Sequence, residues 1–291
     1  MITLSNDKLT ARIALLGAEI KSLLEITTGR ELIWPGNKEF WNRSSPVLFP
    51  IVGKLKDNAY FYKGQRYEMS QHGFARDLPF TVVEKEANRV LLRLESNPLT
   101  FEKYPFDFSL DIEYELRGYL LQVSYKVHNP AKEIMLFSLG AHPGFYCSAI
   151  SDKTQVKATM RLPLSQELLV YRLKDGLLQE DASEGLMASL EARIDLTDEL
   201  IESDAMIFKR SIGPWIDLYV PNQAGRIRFT AKNWPYFGIW SKKGSPFVCL
   251  EPWYGVADSL STNQQLEDKE GIIKLAGGKS WTAEWCVELK Q

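Results

Sequence analysis

Cysteine and histidine are scarce in this chain of 291 residues, with three of each, and that scarcity closes off several kinds of chemistry. Cys147, Cys249 and Cys286 are odd in number and widely spaced, which argues against a disulfide framework and against a CxxC-type metal site. No charge of one sign dominates either. There are 35 basic and 37 acidic side chains, a net charge of -2, mixed along the whole length. Nucleic acid and anionic membranes call for a basic patch or stripe, and none is present. No run of about 18 apolar residues exists to span a bilayer, and Met1–Asp7 lacks the basic start and apolar core of a signal peptide. The expectation is a reduced, soluble, cytoplasmic protein with no nucleic-acid or membrane partner. Gly-x-Ser-x-Gly, a P-loop and a Gly-x-Gly-x-x-Gly after a strand are also missing.

What the sequence does have is apolar alternation. Hydrophobic residues make up 45% and charged residues 25%, enough for a full core. From 108 to 116, Phe108, Leu110, Ile112, Tyr114 and Leu116 alternate with polar residues. Arg117-Gly118 supplies a turn, and Leu121, Val123, Tyr125 and Val127 alternate again, the pattern of a half-buried hairpin. Short strands of the same kind are predicted at Leu9–Leu16, Tyr60–Met69, Phe80–Val83, Val90–Glu95, Ile134–Leu139, Ile216–Val220, Arg226–Thr230, Phe237–Trp240, Phe247–Glu251 and Trp281–Leu289. Ser165–Leu173 and Leu186–Arg193 are the best short helical segments. The polar stretch Ser151–Ser203 reads as long connections over the sheet surface. With no linker, repeat or low-complexity tract, residues 1–291 are read as one all-β domain, a large antiparallel β-sandwich with a few short helices.

Three ionisable residues stand in unusual company. His72 lies in Gln71-His72-Gly73-Phe74-Ala75-Arg76 and His142 in Gly140-Ala141-His142-Pro143-Gly144-Phe145. Glu251 closes the apolar run Phe247-Val248-Cys249-Leu250 before Pro252. A charge at the end of an apolar strand is costly unless it is paired or used. His142 and Glu251 each precede proline, which holds their backbone extended and stiff, as a positioned acid or base requires. Imidazole exchanges protons near neutral pH, and desolvation should raise the Glu251 pKa and make it a better base. Together they form an acid–base kit with no nucleophile and no metal.

Blander readings exist for each: a structural hydrogen-bonding histidine, a strand-end salt bridge for Glu251, and core tryptophans in Asn233-Trp234-Pro235-Tyr236-Phe237. His128 falls on the polar face of its strand. Trp253, close to the candidate base, is the aromatic best placed to meet the C–H face of a sugar ring. A glycosidase would need a second carboxylic acid in comparable context, and none stands out. His72 and His142, about seventy residues apart, give no support to a cupin-like metal site.

Phe49-Pro50-Ile51-Val52-Gly53-Lys54-Leu55, the His72 and His142 segments and Leu250-Glu251-Pro252-Trp253 occur in this order. In these words the chain resembles the aldose 1-epimerase (galactose mutarotase) superfamily, most closely its LacX-like branch, nearly end to end. The resemblance implies a β-supersandwich and cofactor-free interconversion of the α and β anomers of an aldose. It implies that Glu251 takes the proton of the anomeric hydroxyl, that His142 protonates the ring oxygen, and that His72 hydrogen-bonds the same region. Lys54 falls where classical mutarotases carry a sugar-contacting arginine. A substrate-binding aspartate of the family falls at Asp204, with Asp217 as the fallback. The His-Gly-Phe-Ala-Arg word is similar to that of hexose-6-phosphate mutarotases, so Arg76 and Lys54 could meet a phosphate; the alternative for Arg76 is a structural pairing with a nearby carboxylate. The expected ligand is a small sugar or sugar phosphate, bound by a monomer or homodimer without cofactor or metal. The rival expectation is a non-catalytic sugar-binding or sensing protein on the same fold, which would need the ring-contacting groups but not the acid–base pair.

Overall fold

Alternating burial along the strands builds two large antiparallel sheets. The computed structural model describes residues 1–147, 156–163, 167–187, 193–201, 205–210 and 212–290. A nine-stranded sheet runs in the order Arg193–Thr197, Val156–Arg161, Trp215–Tyr219, Arg226–Thr230, Ser280–Lys290, Leu120–His128, Ser109–Arg117, Arg89–Glu95 and Thr81–Lys85. An eight-stranded sheet runs Leu177–Met187, Glu167–Lys174, Met206–Phe208, Tyr236–Trp240, Phe247–Tyr254, Leu139–Ala141 and Val47–Leu48, with Gly144–Tyr146 pairing to Phe247–Tyr254. Smaller sheets, one of them made of Ile2–Ser5, Leu9–Ile13 and Ile20–Glu25, complete the all-β sandwich.

The inner faces of the two sheets share one apolar core. Phe229 of the nine-stranded sheet meets Phe145 and Phe237 of the other, with ring centroids 5.9 and 6.1 Å apart, and Trp285 packs beside them. Two glycine-assisted turns close hairpins as expected. Lys63 and Gly64 both take positive φ between Ala59–Tyr62 and Gln65–Glu68, and Gly118 does so after Ser109–Arg117. Left-handed residues at such positions match the twist of the flanking strands.

The structure corrects the reading of the middle of the chain. Of Ser165–Leu173, the first two residues lie outside the described ones and the rest is not helical: Glu167–Lys174 is a strand, with Leu168 and Val170 buried and Leu169 exposed. Asp175 and Gly176, both at positive φ, turn it back into Leu177–Met187. Asp-Gly between apolar runs is a strong hairpin signal, and cross-strand pairing overrides the helical spacing. Of Leu186–Arg193, the first two residues and the last lie in strands, and 188–192 fall outside the described residues. The stretch taken as surface connections therefore extends both sheets, through Val156–Arg161, Glu167–Lys174, Leu177–Met187 and Arg193–Thr197. Among the described residues the longer α-helix is Pro98–Lys103, started by Asn97, whose side chain accepts from Leu99 and Thr100 N–H, with proline in the first turn where no N–H is missed.

Glycine shapes the outer face of the eight-stranded sheet. Gly140 pairs with Trp253, and Gly238 pairs with Glu251. A Cβ on Gly140 would lie 2.7 Å from the Trp253 indole and one on Gly238 2.6 Å from it. The indole therefore lies in the space that two absent side chains leave. Gly238→Ala is expected to lower unfolding stability by about 1–3 kcal/mol through this overlap, measured by urea denaturation. In a Trp253→Leu background the same change should cost much less, and equal costs in both backgrounds would remove the overlap as the cause.

Candidate active site

The strand Phe247–Tyr254 is buried on both faces from Phe247 to Trp253. Val248 and Leu250 point into the inter-sheet core. Period-2 alternation then sends Phe247, Cys249, Glu251 and Trp253 to the opposite face, where Phe247, Cys249 and Trp253 join smaller apolar clusters. Glu251 is the charged member of that row and is 1% exposed. The neighbouring strand Leu139–Ala141 delivers His142 to the same face. Its Nε2 stands 3.2 Å from Glu251 Oε2. Trp41 stacks on the His142 ring with centroids 4.8 Å apart, and Trp240 meets it edge-on at 5.7 Å. Pro143 and these two rings leave the imidazole little room to turn.

His72 is fixed differently. It takes φ +66° and Gly73 takes φ +72°, and a Cβ on Gly73 would lie 2.2 Å from the Phe49 carbonyl oxygen, so only glycine fits there. His72 N–H donates to the Gly53 carbonyl at 2.8 Å, while Gly53 N–H donates back to His72 Nδ1 at 3.1 Å. A backbone N–H can only donate, so Nδ1 is unprotonated and the ring hydrogen sits on Nε2. Nε2 lies 3.3 Å from the Gln71 amide, which must therefore turn its oxygen toward it. The His72 and His142 ring centroids are 5.8 Å apart.

Arginine supplies the positive edge. Arg76 lines the same cavity; it donates through Nη2 to the Gln71 carbonyl at 2.6 Å, and its Nε stands 3.8 Å from Asp77. Arg43 binds Asp77 at 2.6 Å and so holds a second guanidinium nearby. Both expectations for Arg76 thus have a counterpart, since it is anchored and also faces the cavity. Burial first, and then the Arg76 and Arg43 charges, push the His142 pKa down to about 3. Burial, then His142 and the same two arginines, also holds His72 well below the ordinary imidazole value. Both rings are neutral at rest near pH 7.

These groups surround a cavity of about 300 Å³ lined by Trp41, His72, Arg76, His142, Trp240, Glu251 and Trp253 among others, at the small end of ligand sites, roughly 300–1,000 Å³. The structure thus brings Glu251, His142, His72, Arg76 and Trp253 to one place. Lys54 departs from the expectation. Its Nζ donates to the Asp175 carbonyl at 2.8 Å, and its chain lies over Gly176, which itself lines the cavity. Lys54 therefore ties down a hairpin tip rather than facing the ligand space. Asp204 lies outside the described residues. The fallback Asp217 is corrected: it is buried against Arg226 and Arg228 at 2.9 and 2.7 Å on the nine-stranded sheet and is not part of the cavity. Trp41, Trp240 and Gln71 were not among the expected site residues. Trp240 lies at the end of the predicted strand Phe237–Trp240 with nothing local to mark its face, and Trp41, on an irregular segment, has no signal. Among the described residues no helix is long and apolar enough to cross a membrane.

The aldose 1-epimerase family profile matches residues 1–265. LacX proteins of Lactococcus lactis subsp. lactis, plasmid and chromosomal, are 27% identical over 283 residues, covering 94% of each chain. Two solved structures align nearly end to end at 32% identity. One is a galactose mutarotase related enzyme from Lactobacillus acidophilus, with a TM-score of 0.93 over 100% of this chain and 97% of that one. The other is a galactose mutarotase-like protein from Lactobacillus casei, with a TM-score of 0.92 over 99% of both. The chain belongs to the aldose 1-epimerase family, in its LacX-like branch, with the galactose mutarotase-like fold. Sugar epimerase chemistry is the general function that this membership supports.

A neutral, buried imidazole makes stability depend on pH with a definite sign. In the unfolded chain His142 titrates near 6.5, and in the folded protein near 3. Between those values the unfolded state binds more protons, so stability falls as pH falls. Lowering pH from 6.5 to 5.0 is expected to cost about 1.5 kcal/mol through His142 alone. Urea unfolding of wild type and His142→Gln at both pH values checks this; equal pH dependence in the two proteins would show that His142 is not held neutral.

Proposed function

We propose that this protein is a mutarotase that interconverts the α and β anomers of a hexose or hexose phosphate without a cofactor. The observation that carries the reading is the contact between His142 Nε2 and Glu251 Oε2, 3.2 Å apart on the wall of a cavity that also holds His72 and Arg76.

Ring opening removes a proton from the anomeric hydroxyl and places one on the ring oxygen. In this reading Glu251 takes the first and His142 gives the second. Burial holds His142 neutral in the empty site, so in this reading it takes up a proton as the sugar binds before giving it to the ring oxygen, and the Glu251 carboxylate in contact favours that imidazolium. His72 cannot serve as the acid while Gly53 N–H occupies its Nδ1. Its Nε2–H is instead a neutral donor for the oxygen on which negative charge grows. After rotation about C1–C2 the aldehyde recloses on its other face, and acid and base exchange roles. Trp253, flat in its glycine bed, offers an apolar surface to the ring carbons. Arg76, whose guanidinium is already desolvated, is the group suited to a phosphate.

Anomer exchange followed by NMR, with glucose, galactose and their 6-phosphates, tests the reading. Wild type should accelerate exchange of at least one sugar above buffer. Glu251→Gln should lose roughly 10²–10⁴-fold of that acceleration while still binding, and His72→Asn about 10²-fold. A folded protein that binds these sugars and accelerates none would be a sugar-binding protein. Preference for the 6-phosphates that disappears in Arg76→Met would assign the phosphate contact to Arg76.

A further inference from the structure

Cys249 takes no part in that acid–base scheme, yet it stands directly behind it. It is two residues before Glu251 on the same face of the strand Phe247–Tyr254, and it is a free, fully buried thiol. One ligand atom each from His142, Cys249 and Glu251 can be chosen so that all three lie within 4.8 Å of one another. Bond lengths to zinc of about 2.0–2.1 Å for nitrogen, 2.0–2.2 Å for oxygen and 2.3 Å for sulfur put neighbouring ligand atoms of a tetrahedron roughly 3.3–3.6 Å apart. The His142–Glu251 separation of 3.2 Å already matches one such edge. The other two edges lie within 4.8 Å, and because His142 is held by its neighbours, closing them falls to the Cys249 and Glu251 side chains.

We propose that His142, Cys249 and Glu251 form an inhibitory site for a borderline-soft divalent cation of the Zn²⁺ type. The donor set is one imidazole, one thiolate and one carboxylate. Nitrogen and sulfur ligands select Zn²⁺ over the hard ions Mg²⁺ and Ca²⁺, which prefer oxygen. The fourth position faces the cavity, where water would complete the tetrahedron. On binding, the S–H bond of Cys249 breaks, its proton passes to solvent and the sulfur lone pair forms the S–Zn bond. The two groups assigned to proton transfer become ligands at once, so metal and sugar exclude each other. Thiol loss or oxidation at Cys249 would release the protein from this inhibition without touching the acid or the base.

The inhibition part rests on the mutarotase reading; the binding part does not, and the two are measured separately. Titration of the metal-free protein with Co²⁺ should give the intense visible bands of tetrahedral cobalt and a near-ultraviolet thiolate charge-transfer band, both displaced by one equivalent of Zn²⁺. Cys249→Ala should lose the charge-transfer band and at least 100-fold in Zn²⁺ affinity by calorimetry, while keeping its anomer-exchange rate in metal-free buffer. With wild type, Zn²⁺ should inhibit competitively with sugar and EDTA should restore the rate; Cys249→Ala should resist the same concentration. Absence of the charge-transfer band, or equal Zn²⁺ affinity in Cys249→Ala and wild type, would overturn the site, the latter placing the metal elsewhere, for example on the partly exposed Cys286. A protein that shows the band but never accelerates anomer exchange would retain the metal site and lose only the enzymatic reading.

Discussion

A carboxylate buried in the middle of a sheet is the constraint around which this molecule is arranged. The strand Phe247–Tyr254 crosses the eight-stranded sheet with neighbours on both sides, Tyr236–Trp240 and Leu139–Ala141. One of its faces completes the core between the sheets, and the other would be equally apolar but for Glu251. Removing a charge from water costs several kcal/mol unless partners replace the water. Here the replacement comes from the adjacent strand, as the His142 imidazole. Because both residues precede proline and both emerge from paired strands, their separation is set by sheet geometry rather than by flexible loops. A site built on strands is held more closely than one built on loops.

The remaining groups are kept in place by devices of a different kind. His72 occupies a left-handed backbone position and is latched to Gly53 by two reciprocal hydrogen bonds, while Gly53 in turn sits so close to Ala257 that a Cβ would lie 2.5 Å from its backbone. Ala257 belongs to a segment pinned by the buried pair Lys269 and Asp258, 2.8 Å apart. Asp258 also accepts from Lys56 N–H, and its own N–H donates to the Lys54 carbonyl. A chain of contacts therefore runs from a buried ion pair, through Ala257 and Gly53, to the imidazole ring. Breaking one partner of such a pair leaves a buried charge uncompensated, so the pair behind the cavity-lining Ala257 and Gly53 holds that wall only while both partners are present.

Much of this was legible in the sequence, and the legible part has a common physical cause. Alternation of apolar and polar residues reports which face of a strand is buried, so Ser109–Arg117 and Leu120–His128 could be read directly. His142 and Glu251 were conspicuous because an ionisable side chain amid apolar residues and before proline has few structural uses. What alternation does not report is register across strands. Nothing local in Gly238 reveals that it faces Glu251, or in Trp41 that it stacks on His142. The hairpin at Asp175-Gly176 shows the opposite failure: its turn signal was present, but apolar spacing in Ser165–Leu173 fits a helix and a strand almost equally well. Lys54 illustrates a third limit, since a long cation in the right word reaches away from the cavity and binds the Asp175 carbonyl.

The distribution of charge around the cavity bears on the proposed chemistry. Two guanidiniums, Arg76 and Arg43, add to burial in keeping both imidazoles neutral, while the Glu251 carboxyl stands 3.2 Å from His142. If the arginines alone acted, both rings would be fixed as neutral donors and no acid would exist. If Glu251 alone acted, His142 would hold its proton too firmly to give it to a sugar oxygen. In the proposed reaction the contact with Glu251 is what favours proton uptake by the otherwise neutral His142 when a sugar binds. His72 feels the arginines and, among the described residues, has no carboxylate contact like that of His142 with Glu251, and this asymmetry is what separates a proton-transferring histidine from a hydrogen-bonding one in the proposed reaction. The donor atoms of His142 and Glu251 also lie within 4.8 Å of one on Cys249, so the proposed proton-exchange site and the proposed metal site share two residues and one place.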